Sequence, residues 1–212
     1  DDEPTGTAFI CVADDAQNAI TVAPGANNAL RDFHLPPLDG FSHLLLQLET
    51  PLAAVKAYAH AARSRKVKVV LNAAPAQKLP RALLSLVDIL IVNEAELAVL
   101  AGPAGGIEQR LARIDVPCVV VTLGERGCYA RVDGKVVARE GFAVKAVDTT
   151  AAGDTFCGVL VAALGRRLAF AEALREANAA AALACTRLGA QSSIPTHAEV
   201  STFLQKRTAT SP

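Results

Sequence analysis

Short, near-continuous apolar runs alternate along this chain with stretches whose apolar residues return at helical spacing. Residues 44–49, 67–71, 89–92 and 116–123 are the runs. A strand covered on both faces carries apolar side chains on both, so it loses the usual in-out alternation. Between these runs, residues 51–64, 80–86, 94–100 and 107–114 read as helices, the third closed by Gly102-Pro103. Two hairpins frame this region. Residues 7–12 and 19–22 flank a polar turn at 14–18, and residues 128–132 and 135–138 meet across Asp133-Gly134. Near the end, a strand-like segment at 142–147 leads into a turn, followed by alanine-rich helices at 155–164 and 170–186 and a shorter one at 196–206. Strands alternating with helices predict an α/β fold, an open and mostly parallel sheet whose ligands bind beyond the carboxyl ends of the strands.

Composition narrows the function without naming it. At 212 residues and 51% hydrophobic, the chain has ample material for a packed core. Twenty-one basic residues balance twenty-one acidic ones, so no global field favours nucleic acid. Arg63-Ser64-Arg65-Lys66 reads as a solvated helix end. Five cysteines are scattered with no C-x-x-C pair, which reads as reduced, packed thiols in a cytoplasmic protein. No apolar run approaches the roughly 18–20 residues of a membrane span, and no stretch of this sequence reads as a signal peptide. The four histidines are dispersed, and neither a P-loop, a G-x-G-x-x-G string nor metal-type Cys/His spacing occurs. Any nucleotide is therefore held by another arrangement.

The chemistry concentrates at Asp148-Thr149-Thr150-Ala151-Ala152-Gly153-Asp154-Thr155-Phe156. A helix start carries unpaired N–H groups and partial positive charge, both of which attract phosphate. Ala151, Ala152 and Gly153 are small enough to let an anion rest on those groups. Asp154, in the first turn, would then sit beside the anion and accept a proton from an attacking hydroxyl. Gly-Asp-Thr also reads as an ordinary helix start, and the two roles are compatible.

Three further stretches carry two readings each. Asn93 and Glu96 share a face at a helix start; they suit phosphate and a hydrated Mg²⁺, and equally a capping box. The turn Thr122-Leu123-Gly124-Glu125-Arg126-Gly127 lets backbone approach a ligand, or simply connects a strand to the next hairpin. Glu49, at the end of residues 44–48, suits sugar hydroxyls, or is a surface glutamate ahead of a Pro-started helix.

The string Asp-Thr-x-Ala-Ala-Gly-Asp-x-Phe resembles the carboxy-terminal signature of the ribokinase-like (PfkB) sugar kinases, and the likeness runs from Pro4-Thr5-Gly6 to about Leu204. The resemblance implies a ribokinase-like sheet with helices on both faces and a small β lid. It implies phosphoryl transfer from ATP, with Mg²⁺, to the primary hydroxyl of a pentose, D-ribose before fructose or a nucleoside. Asp154 would be the base and the 151–154 backbone the anion hole. Asn93 would contact phosphate, Glu96 would organise the magnesium shell, and the 122–127 loop would line the nucleotide site. Asn178 would approach the adenosine end, and Glu49, in a Leu-Gln-Leu-Glu string like that of the ribose-specific members, would contact the sugar. Asp148, Thr150, Ala184, Arg187, Gly189 and Ser193 match positions that hold a monovalent cation, K⁺, several through carbonyls. The resemblance also implies a homodimer when the lid is complete.

Two family strings are missing: an Asn-x-Asp after the first strand and a Gly-Gly-Lys-Gly-like segment. Asp1-Asp2-Glu3-Pro4 does not look like a natural start, and no Met occurs. The expectation is that the sequence begins inside a larger protein, with residues 1–24 a partial lid hairpin and entry strand, and 25–212 the part carrying the nucleotide site. Such a chain is expected to aggregate through an uncovered sheet edge, to need a companion chain, or to be the ordered remainder of a longer protein. The rival reading of its function is a chain that binds nucleotide or a partner without turnover.

Overall fold

The computed structural model describes residues 3–12 and 18–208. The first hairpin is present as a two-stranded sheet of β1 (Thr7–Val12) and β2 (Asn18–Ala23), within the stretch that the sequence sets apart. Most of its expected polar turn lies outside the described residues. The main sheet has six strands in the order β3 (His43–Leu46), β4 (Lys68–Asn72), β5 (Ile89–Asn93), β6 (Cys118–Thr122), β7 (Cys128–Val132) and β8 (Lys135–Arg139). β3 to β6 pair in parallel, with Leu46 opposite Leu71, Asn72 opposite Ile91, and Asn93 opposite Thr122. The apolar runs predicted as strands are these parallel strands. β3 is shorter than expected, ending at Leu46, and lies at the sheet edge with Leu45 exposed.

The described residues form two compact units. The first takes in those up to Phe9 together with Thr21–Thr122 and Tyr129–Val137; the second takes in the described part of Ile10–Ile20, Leu123–Cys128, and Ala138 onward.

In the first unit, Val69, Val70 and Leu71 of β4, Leu90, Ile91 and Val92 of β5, and Val119, Val120 and Val121 of β6 are all buried. Against β3 and β4 packs α1 (Leu52–Ser64), whose Ala54, Val55, Tyr58, Ala59 and Ala62 repeat at helical spacing and make one buried face. The Tyr58 hydroxyl at its margin donates to the Arg31 carbonyl at 2.7 Å, so its polar end is satisfied. Three short helices follow: α2 (Arg81–Leu84), α3 (Glu94–Ala101) and α4 (Ile107–Ala112). Asp88 locks the start of the sheet. Its carboxylate accepts the Val69 N–H at 2.9 Å, Lys68 Nζ at 3.0 Å and Arg63 Nη1 at 3.2 Å.

The second unit is helical. α5 (Ala152–Gly165) and α6 (Phe170–Ala184) lie together, with Phe156, Leu160 and Ala163 of one and Ala173, Leu174 and Ala177 of the other buried. Small residues on α6 let the helix axes approach closely. α7 (His197–Thr208) packs Val200 on Ala179 and Ala180, while Phe203 meets Phe142 edge-on at 5.3 Å between ring centres.

Two local expectations fail. The segment 142–147 is not a strand. The N–H groups of Val147 and Asp148 both go to the Cys185 carbonyl, at 2.8 and 3.2 Å, so the last turn after α6 takes the donors a neighbouring strand would need. α5 also begins three residues before the predicted Thr155. Ala151 takes a left-handed conformation (φ 60°), which turns the chain into the helix early.

Candidate functional site

The turn ahead of α5 is built by Asp148. Its carboxylate accepts the Thr150 N–H at 2.8 Å and, across the unit, the Gly189 N–H at 3.0 Å. The Thr150 hydroxyl and these two N–H groups hold the Asp148 carboxyl below the usual carboxylate range. Beyond it, Ala152 N–H bonds back to Thr149 O and Thr155 N–H to Ala151 O, whereas the N–H groups of Gly153 and Asp154 meet no backbone carbonyl among the described residues. A left-handed residue leading into a right-handed helix makes such donors into an anion-binding concavity. A Cβ added at Gly153 would meet nothing within 4 Å beyond its own helix and chain neighbours, so the side-chain face of this position is open. Asp154 is exposed in the first turn, and no ion pair or side-chain hydrogen bond ties its carboxylate to another described residue. The arrangement leaves both the anion cradle and the carboxylate available to a ligand.

The loop after α6 holds the residues matched to a cation site. Ala184 and Ser193 are buried, and Gly189 sits at φ 93°. The carbonyls of Arg187, Gly189 and Ser193 accept no hydrogen bond from the described residues, while that of Ala184 accepts the Arg187 N–H at 3.1 Å. Together with Asp148 they supply hard oxygen donors of the kind an alkali cation takes, so the residues present fit such an ion. The Arg187 side chain turns to α7, where it meets Glu199 at 2.5 Å. Glu199 also accepts from Thr196 N–H at 2.7 Å and Thr196 Oγ1 at 2.9 Å. Arg187 first, then Thr196, hold the Glu199 carboxyl down to about 2. Sequence reasoning passed over Glu199; the Ser/Thr-x-x-Glu capping pattern from Thr196 was the signal.

Asn93 and Glu96 in the first unit form the full capping box. Glu96 Oε2 accepts the Asn93 N–H at 2.7 Å, Glu96 Oε1 accepts Asn93 Nδ2 at 2.9 Å, and Asn93 Oδ1 accepts the Glu96 N–H at 2.8 Å. Burial pushes the Glu96 carboxyl up, with the Asn93 N–H opposing. No Lys or Arg among the described residues ion-pairs with it, which leaves its charge for a cation or for ordered water to offset. Both oxygens already serve Asn93, so the residues fit a hydrated magnesium held through water.

The 122–127 turn divides. Thr122 Oγ1 donates to Val92 O at 3.4 Å, and Leu123 is buried. Gly124, Glu125 and Arg126 are exposed, and Gly124 has open space where a Cβ would be. Gly127 is different: its backbone lies against the chain at Arg139–Gly141, so the close approach that the sequence offered to a ligand is made there by the protein itself. Asn178 is buried, its Nδ2 donating to the carbonyls of Arg139 and Glu140, both at 3.2 Å. Its amide hydrogens thus hold the exit of β8. Glu49 does not end a strand. It lies three residues past β3, exposed in a bend, its N–H bonded to the Gln47 side chain. Among the described residues no cluster of three or more His, Cys, Asp or Glu side chains suits a metal. No described helix is long and apolar enough to cross a membrane.

The model of the pfkB family of carbohydrate kinases matches residues 1–197. A ribokinase of Haemophilus influenzae is 44% identical over 214 residues, covering 96% of this chain and 70% of that one. The crystal structure of a Thermotoga maritima ribokinase superposes with a TM-score of 0.85 at 37% identity, over 96% of this chain and 70% of its own. An Arabidopsis thaliana ribokinase, solved with ribose and ATP, superposes equally well, with a TM-score of 0.85 at 32% identity and the same shares covered.

Proposed function

This chain belongs to the pfkB family of carbohydrate kinases, and we propose that it moves the γ-phosphoryl of ATP to the 5-hydroxyl of D-ribose. The observation that carries the reading is the exposed Asp154 carboxylate beside the N–H groups of Gly153 and Asp154, which meet no backbone carbonyl among the described residues. Asp154 takes the hydroxyl proton as the sugar oxygen attacks phosphorus, and ADP leaves. The N–H groups at the start of α5 stabilise charge on the transferring group, which costs little because they are already oriented and lack a backbone partner.

The ribose and ATP bound by the Arabidopsis thaliana ribokinase support the donor and acceptor. In the same proposal Asn93 orients phosphate, Glu96 holds the water shell of Mg²⁺, the exposed Gly124–Arg126 part of the 122–127 loop lines the nucleotide site, and Glu49 meets the sugar. Magnesium, when bound, neutralises polyphosphate charge. Asp148 and the carbonyls of Thr150, Ala184, Arg187, Gly189 and Ser193 would hold K⁺. Exposed Phe9 and Val22 on the two-stranded sheet support pairing of two copies there, and a cytoplasmic setting completes the reading.

The test is ADP release from ATP by the purified chain, assayed with ribose, fructose and a panel of nucleosides. Ribose is expected to give the highest kcat/KM. Faster turnover of fructose or a nucleoside would reassign the acceptor. ATP binding with no acceptor-dependent turnover would replace the kinase by a non-catalytic nucleotide-binding chain.

A further inference from the structure

The loop after α6 is gripped from two sides, and only one grip belongs to the site described above. On one side Asp148 joins the Gly189 N–H to the Thr150 N–H, tying the loop to the turn that opens α5. On the other, Glu199 at the start of α7 binds the Arg187 side chain while capping its own helix through Thr196. Between the grips, Ser193 is fully buried and bonded to the Ala190 carbonyl, and Ser192 Oγ bonds the Leu188 carbonyl. A displacement of Arg187 therefore has little slack to absorb it before reaching Gly189, Asp148 and the 149–153 turn.

We propose that Glu199 is a positioning residue for phosphoryl transfer: through Arg187 it holds the loop that sets the turn carrying the Gly153 and Asp154 N–H groups. The proposal rests on the reading of Asp154 and that turn as the reacting centre. An exposed ion pair adds little to stability on its own, and side-chain exposures of 35% for Arg187 and 43% for Glu199 put this pair near that class. Its use is geometric. The Thr196 backbone N–H fixes the Glu199 carboxylate at 2.7 Å, leaving it as an anchor for the Arg187 guanidinium that does not depend on the Thr196 hydroxyl. The groove beside Glu199 is lined by Leu183, Arg187, Ala198, Thr202, Phe203 and Lys206, of which Arg187 and Lys206 carry positive charge.

Four proteins decide the matter: the parent chain, Glu199→Gln, Arg187→Gln and Thr196→Ala. Amide hydrogen exchange is read over residues 147–153, alongside thermal melting and ribose-dependent ADP release. Glu199→Gln and Arg187→Gln are each expected to raise exchange in 147–153 at least fivefold, and to lower kcat about tenfold with KM for ATP within twofold. Thr196→Ala removes the hydroxyl cap but leaves the Arg187–Glu199 pair; it is expected to lower the melting temperature while leaving exchange and kcat near the parent's. Parent-like exchange in Arg187→Gln would overturn the proposal, as would a Thr196→Ala protein that matches the other two. If the parent itself shows no ribose-dependent turnover, the kinase reading fails, and the exchange data alone still decide whether Glu199 holds the turn.

Discussion

Gly127 and Gly141 meet backbone against backbone: a Cβ on Gly127 would lie 2.4 Å from the Gly141 nitrogen and 2.1 Å from the Arg139 carbonyl oxygen. Gly127 also sits at φ 90°, a region that side chains rarely enter. Gly127→Ala is expected to destabilise the protein by about 2–5 kcal/mol, combining backbone strain with a contact that backbone cannot yield. Gly124→Ala, at φ 60° with open space around it, should lose only about 1 kcal/mol. Urea midpoints of the two variants check the contrast.

Asp154→Asn keeps the size of the side chain and removes its basicity. Its kcat for ribose phosphorylation is expected to fall by about 10²–10⁴, the scale of a lost general base, with KM for ATP little changed. Steady-state kinetics decide it, and near-parent turnover would remove Asp154 from the role of base.

Burial works to raise the Asp88 carboxyl, but the Val69 N–H, Lys68 and Arg63 outweigh it and hold the group below the usual carboxylate range. A depressed carboxylate contributes stability above its unfolded value and loses it as pH falls through the folded one. Asp88→Asn is therefore expected to cost about 1.5–3 kcal/mol at neutral pH, the range for hydrogen bonds to a charged group. The gap from the parent should hold down to about pH 5 and close as pH drops further. Denaturation at several pH values tests the sign.

Arg131 donates from Nε to Leu111 O at 3.2 Å and from Nη2 to Ile114 O at 2.7 Å and Val116 O at 2.9 Å. This single fork satisfies carbonyls at the end of α4 and on the way into β6. Lys carries the charge without the planar fork, so Arg131→Lys is expected to destabilise by about 1–3 kcal/mol despite its conserved charge. Thermal melting reads the loss.

Burial pushes the Cys118 thiol up to about 12 and the Cys128 thiol up to about 11, and Cys157 is buried as well. Thiolate is the reactive form, so these should resist iodoacetamide in the folded protein. Exposed Cys11 should be modified first and the buried three only in denaturant, as peptide mass spectrometry would show.

Much of this protein follows from local sequence. Parallel strands buried on both faces write themselves as unbroken apolar runs, which is why β4, β5 and β6 are readable within a residue or two of their ends. Asp133-Gly134 names its own hairpin because both residues adopt positive φ, at 48° and 77°, and such a turn selects for them. The string from Asp148 to Phe156 marks the candidate site because small residues and a carboxylate following one another at a helix start leave room for an anion.

What the sequence left open is decided by contacts between residues far apart in the chain. Segment 142–147 has the composition of a strand, yet its last N–H and that of Asp148 go to Cys185, so it never joins a ladder. Gly127 looks free to approach a ligand until Gly141 is found against it. Glu199 draws no reading from the sequence, yet in the fold it caps α7 and anchors Arg187. Propensity and pattern act over a few residues and so determine elements and motifs. Only the closing of long loops chooses which backbone donors, glycines and charges meet, and that choice requires the folded chain.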